Sequence, residues 1–140
     1  MRAVRGLATV KRGDVFAVNL NNEGKRSLIR PVLVIQNDIG NRYCPSVIVV
    51  PLISKLKTKK LLFSVLIPAG SKSGLCKDHV ALFSQIRTLE RHHFTNDNFL
   101  GHLDFETMQK VDRAIELSLG LSTIQKLHNR YQMFKEKMTS

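Results

Sequence analysis

From Asp14 to Ile86 the chain breaks into five short apolar segments, "DVFAVNL", "RPVLVIQN", "SVIVVPLI", "LFSVLIP" and "HVALFSQI". Each is rich in Val, Ile, Leu or Phe, and the links between them carry the Asn, Gly, Lys and Ser that end strands. Short polar links suit antiparallel neighbours and leave no room for βαβ crossovers. The expected fold is therefore mainly β with some α, a small antiparallel barrel or strongly bent sheet followed by helices. Pro51, inside the third segment, removes one ladder donor and implies a bulge or a sheet edge there.

The last third changes period. In "LDFETMQKVDRAIELSLG", Met108, Val111, Ile115 and Leu119 form the stripe of an amphipathic helix, with Asp104 as N-cap and Gly120 as stop. A second helical pattern over 122–140 carries Ile124, Leu127, Tyr131, Phe134 and Met138 on one face, and Ser122 can cap it. Its other face bears Lys126, Arg130, Lys135 and Lys137, so the apolar stripe is expected to pack on the body or on a sister subunit. Residues 1–10 show little pattern and read as a loose basic arm. With no repeats and no linker, 1–140 reads as one domain.

Charge narrows the partner class. The chain has 22 Lys+Arg against 11 Asp+Glu, a net charge of +11. That imbalance concentrates polyanions near the surface, so nucleic acid leads and a membrane does not, no apolar run approaching the ~20 residues of a span. The N-terminus lacks a secretory h-region, and Cys44 and Cys76 have no metal-ligand spacing, so reduced thiols in a cytoplasmic protein are expected. His92 and His93 read as a solvated loop pair, and neither a metal nor a cofactor is expected. Walker, GxGxxG, HExxH and GxSxG patterns are absent. Asp14, after Gly13, reads as a turn or cap residue. What remains is Arg30 opening one strand, Ser54 ending another and "SQIRT" (84–88) ending a third. Such a surface can grip RNA, and RNA can be cut without metal when a site helps the 2′-OH attack its own phosphate.

The strings "VKRGDVFAVNL" and "IRPVLVIQNDIGNRYCPSVIVVPLISKLK" resemble the MazF/PemK family of toxin-antitoxin ribonucleases. "SQIRTLERH", "LGHLD" and "KVDRAIELSLGL" follow in that family's order, so the resemblance covers about residues 10 to 121. It implies an SH3-like, CcdB-like barrel with a C-terminal helix, a homodimer, and metal-independent cleavage of single-stranded RNA to a 2′,3′-cyclic phosphate. The implied partners are single-stranded RNA, a cognate antitoxin whose disordered tail blocks the groove, and DNA when joined to the antitoxin.

Carried over by position, Arg30 takes the place of the family's catalytic arginine, the acid/base and phosphate contact. The threonine expected in "P-I/L-T-S-K" is Ile53 here, which keeps the β-branch and loses the hydroxyl. Ser54 matches the next serine and becomes a second catalytic candidate only if a bulge re-aims it. The acidic residue before "Q-I/P-R-T" is Ser84, and the glycine-rich loop before the arginine is "NNEGKRSL". The implied RNA contacts are Lys25, Arg26, Ser54, Lys55, Lys57, Ser84 and Gln85. Three readings stay open: an active endoribonuclease toxin, a catalytically impaired module that binds nucleic acid or a partner, and a CcdB-like poison of a protein target.

Overall fold

Alternating burial along the first three apolar segments produces β1 (Asp14–Asn19), β2 (Ile29–Val34) and β3 (Ser46–Ile53), each antiparallel to the next. The computed structural model describes residues 8–20, 28–54 and 64–139, the side chains of 122–127 and 139 excepted. β4 (Ser64–Ile67), β5 (His79–Leu82), β6 (Arg87–Glu90) and β7 (Phe99–His102) complete a seven-stranded sheet ordered β4-β5-β3-β2-β1-β7, with β6 also on β3. Every described pairing is antiparallel, as expected.

β3 is the pivot. Along one edge its residues 46–49 pair with β6 and its residues 52–53 pair with β5. Pro51 falls in the gap between those partners, while its register with β2 runs unbroken through Val32↔Pro51 and Leu33↔Val50. No bulge is seen in the β2 pairing, but a local sheet break lies where the edge was expected: at Pro51, which has no donor to offer, β3 ends its pairing with β2 and passes from β6 to β5. The register shift lies elsewhere, between Val15 and Phe16 on β1 facing β7.

The sheet's two faces make two cores. On one, Val15, Leu33, Val50 and Leu52 meet Val111 and Ala114 of α2 (Phe105–Leu119). On the other, Phe16, Val32, Val34, Val47, Val49 and Leu89 gather around Phe94, whose ring meets Phe16 edge-on at 5.1 Å. Ala8 and Val10 are buried in this second core, and the Ala8 N–H donates to the Phe94 carbonyl at 3.1 Å. The loose arm expected over 1–10 therefore does not extend to residues 8–10, and its remainder lies outside the described residues. One apolar residue at every second position was too weak a pattern to reveal that short segment.

α2 has the expected ends. Asp104 accepts from the Thr107 N–H at 2.9 Å, and Gly120 adopts the left-handed conformation, φ 65°, that closes the helix. α3 (Ser122–Thr139) is helical as expected. The expectation that its stripe packs on the body fails where side chains are described: Tyr131, Phe134 and Met138 are exposed. The Ser122 cap falls on an undescribed side chain. Among the described residues no helix is long and apolar enough to cross a membrane.

A short helix, α1 (Asp38–Tyr43), and the strands β6 and β7 were not foreseen from sequence. α1 exists through local hydrogen bonding. Asn37 caps it by accepting from the Gly40 N–H at 2.8 Å. Gln36 donates to the Ser46 carbonyl and accepts from the Ile48 N–H, and Asn41 donates back to the Gln36 carbonyl at 2.8 Å. Asp38 accepts from the Arg12 N–H at 2.7 Å and from Asn41, which together hold its carboxyl below the ordinary range.

Candidate functional site

Arg30 and Ile53 meet through strand register. The pairing of β2 with β3 ends at Val32↔Pro51, and both strands run on for at least two residues beyond it. Carried on at the same register beyond that last pair, the two strands set Arg30 against Ile53, and opposed residues of an antiparallel pair share a face. On its outer sides Arg30 pairs with Val18 and Ile53 with Val80, giving a row Val18, Arg30, Ile53, Val80 across four strands. Ile53 is half-buried within this row, and Arg30 is exposed. An isoleucine fits a position flanked by valine, but it brings no donor beside the guanidinium.

Ser54 is exposed immediately after β3. The alternation that gives Ile53 to the Arg30 face gives Ser54 the face of Leu52. Ser84 and Gln85 do not end a strand. β5 stops at Leu82 and Phe83–Gln85 form a 3-10 turn, because Phe83 turns into the core and leaves its neighbours exposed. That turn contacts β3, so Ser84 and Gln85 are brought close to the strand that carries Ile53. Lys25, Arg26, Lys55 and Lys57 lie outside the described residues.

One further residue emerges from the fold. Arg87 of β6 pairs with Val49, which shares its face with Pro51 and Ile53 at alternate positions. Arg87 thus presents from the same side of the sheet as Arg30, about 13 Å farther along the strand direction. Its signal was present in "SQIRT", but only the separate strand β6 with its own register assigns it to this face.

Four of the described arginines divide by employment. Arg12 is paired with Asp112 at 2.7 Å and donates to the Ile35 carbonyl. Arg91 donates to the carbonyls of Asn41 and Cys44, tying the end of β6 to the end of α1. Arg30 and Arg87 are exposed, and neither forms a hydrogen bond or ion pair with another described residue. Two uncommitted guanidiniums on one face can hold two phosphates of one strand.

Other polar groups belong to the frame. Asp14 accepts from the Lys11 N–H at 2.8 Å, the turn role expected, and also from His102 at 2.7 Å. It sits four residues along β1 from Val18, the partner of Arg30, so it stands away from the site. His92 and His93 lie in a 3-10 turn, their rings tilted by 33° with centroids 4.2 Å apart, beside a cleft of about 310 Å³ that Arg87 also lines. Partial burial, then the neighbouring His92, push the His93 pKa down. Among the described residues no group of His, Cys, Asp and Glu could hold a metal ion.

Comparison with known proteins fits this frame. The sequence model of the PemK-like, MazF-like toxins of type II toxin-antitoxin systems matches residues 11–119. Endoribonuclease EndoA of Bacillus subtilis is 43% identical over 114 residues, 80% of this chain and 96% of that protein. Endoribonuclease MazF of Staphylococcus saprophyticus is 40% identical over 117 residues, 82% and 95% of the two chains. Among solved structures, a mycobacterial endoribonuclease in complex with its cognate antitoxin superposes with a TM-score of 0.62 at 24% identity, covering 81% of this chain and 95% of that one. From β1 to α2 the matched span holds the whole sheet and both helices α1 and α2, and the chain belongs to the PemK-like, MazF-like toxins of type II toxin-antitoxin systems.

Proposed function

We propose that this chain is an endoribonuclease toxin that cuts single-stranded RNA, mRNA included, without a metal ion. In the reaction the 2′-O–P bond forms as the 5′-O–P bond breaks, the 2′-OH proton leaves, and the 5′-oxygen gains a proton. The products are a 2′,3′-cyclic phosphate and a 5′-hydroxyl. The observation that carries this reading is Arg30: an exposed guanidinium without a described partner, on the face it shares with Arg87. Arg30 would hold the scissile phosphate and move the proton at its oxygen, with Arg87 on a neighbouring phosphate. Ser54, Ser84 and Gln85 are candidate contacts to the bases and backbone, and Lys25, Arg26, Lys55 and Lys57 supply cations in sequence next to them. The relatives' names, endoribonuclease EndoA and endoribonuclease MazF, support the activity. The complex of a structural neighbour with its cognate antitoxin supports an antitoxin partner. The toxin is read as cytoplasmic and homodimeric, with DNA bound through that antitoxin.

A second reading has its own observation. Ile53 puts a hydrocarbon across from Arg30 where the resemblance expects a hydroxyl, so the same face can grip RNA and fail to cut it. Incubation of purified protein with a long single-stranded RNA in EDTA, with Arg30→Ala alongside, decides between them. Discrete cuts that vanish in the variant support the enzyme. Salt-sensitive binding without cuts overturns it in favour of the module.

A further inference from the structure

One edge of β6 is open. The Arg91 N–H donates to the Pro45 carbonyl at 3.0 Å, and the pairs Leu89↔Val47 and Arg87↔Val49 continue that register. The ladder groups of Arg87 and Leu89 therefore turn toward β3. Those of Thr88 and Glu90 turn away from it, to a side where no described strand pairs with β6. A cleft of about 310 Å³ is lined by Arg87, Thr88, Leu89, Glu90, His92 and His93. The two imidazole rings on it lie 4.2 Å apart. The turn that carries them is pinned: buried Phe94 donates its N–H to the Arg91 carbonyl at 3.0 Å, and Asn98 donates to the His93 carbonyl at 2.6 Å. Arg87 contributes an exposed guanidinium to the same cleft.

We propose that this cleft is a nucleotide subsite, in which a base of single-stranded RNA stacks on the His92–His93 pair while Arg87 holds the adjoining phosphate. The subsite rests on the reading that the Arg30 face binds RNA, and it extends that track past Arg87. Size limits the occupant. Small-ligand sites run from roughly 300 to 1,000 Å³, so this cleft suits one nucleotide and not a helix or a folded partner. Chemistry then assigns its parts. Arg87 supplies a fixed cation whose planar fork suits a phosphate. Histidine rings offer aromatic faces of the kind on which splayed RNA bases stack. Partial burial leads in lowering the His93 pKa, His92 and Arg87 add to it and Glu90 opposes it, so the charged form of that ring is disfavoured. His93 thus serves as an aromatic surface. Glu90 also lines the cleft and carries the wrong charge for a phosphate. It holds His92 Nδ1 at 3.1 Å, and its remaining lone pairs suit the N–H groups of a base edge. A polyanion without bases would satisfy Arg87 and leave the rings and the carboxylate unused.

The test uses the full chain and two probes. One is a fluorescent single-stranded RNA of about 12 nucleotides, 2′-O-methylated throughout so that it binds without being cut; the other is inorganic polyphosphate, which has charge and no bases. His92→Ala with His93→Ala should weaken RNA binding by about five- to a hundredfold, the effect of losing one base stack, with polyphosphate affinity and the salt slope unchanged. His92→Phe with His93→Phe keeps the rings and should bind RNA as wild type does. Arg87→Ala should weaken binding of both probes and flatten the RNA salt slope by about 0.7. Circular dichroism checks the fold of the alanine pair, and His92→Ala alone, at an exposed position, repeats the measurement with a smaller loss. An alanine pair that binds RNA like wild type, a loss shared by polyphosphate, or a phenylalanine pair as weak as the alanine pair overturns the subsite. So does a molar mass by light scattering that falls in the alanine pair, which assigns the open edge to a second copy. RNA binding that needs Arg30 and ignores both histidines sinks the subsite alone, whereas a wild type that binds no RNA sinks the functional reading with it.

Discussion

Replacing Ile53 by threonine is the sharpest perturbation of the candidate site, because valine provides its control. Threonine and valine have nearly the same shape and differ in a hydroxyl, so the Thr/Val ratio isolates the donor. Ile53 is half-buried in the row between Arg30 and Val80, so shortening it to either residue costs about 0.5–1.5 kcal/mol. Against a domain stability of roughly 5–15 kcal/mol, that loss leaves the folded population essentially unchanged. A preorganised donor aimed at developing phosphate charge is worth on the order of 10²–10³ in rate. Single-turnover cleavage of RNA in EDTA should therefore show Ile53→Thr exceeding both wild type and Ile53→Val by about that factor. Adding Arg30→Ala should erase the gain, since a hydroxyl across from a missing guanidinium has no partner in the reaction. If Ile53→Thr and Ile53→Val cut equally well, position 53 is a packing position and the row across β2 and β3 is not where chemistry occurs.

Three other outcomes test the frame. Gly101 sits against the Lys72 carbonyl so closely that a Cβ would overlap it, so Gly101→Ala should lose about 1–3 kcal/mol in urea unfolding. Arg91→Met removes donors to the Asn41 and Cys44 carbonyls and should cost about 1–3 kcal/mol by the same assay, with RNA binding retained. Asp104 has its pKa lowered to about 2, chiefly by its hydrogen bonds from Thr107. A depressed carboxylate stabilises above its unfolded value and loses that contribution as pH falls through its folded one. The difference in melting temperature between wild type and Asp104→Ala should therefore be full at neutral pH and shrink between about pH 4 and pH 2.

What could be read from sequence followed the strength of local pattern. β3 was legible to its last residue, because eight residues of alternating and continuous apolar character leave one choice of register. Asp104 and Gly120 announced the ends of α2 through residue types with defined capping chemistry. β6 and β7 were missed because four-residue strands carry too few alternations to stand out, and β6 hid behind the turn that Phe83 makes. Ala8 and Val10 were missed for the same reason: their burial is decided by Phe94, far away in sequence. At the site, Arg30 was found by resemblance, whereas Arg87 needed the pairing of β6 with β3.

The string that most strongly marks this family, "RPVLVIQNDIGNR", divides into two parts with different duties. Its apolar half is β2, and its polar half is consumed almost wholly by the fold. Gln36 stitches α1 to β3, Asn37 and Asp38 start the helix, and Asn41 closes the circuit back to Gln36. Gln36 and Asn41 are buried in this network, so a match to the string certifies the sheet and says little about turnover. Chemistry depends instead on the end of β2, where Arg30 emerges, and on the residue across from it. Those two positions are constrained by packing only weakly, Arg30 being exposed and Ile53 half-buried. A chain can therefore exchange a hydroxyl for hydrocarbon there at a cost of about 0.5–1.5 kcal/mol in stability, while the rate moves by orders of magnitude. In this protein, fold and activity are separable variables, and Ile53 is the residue at which they part.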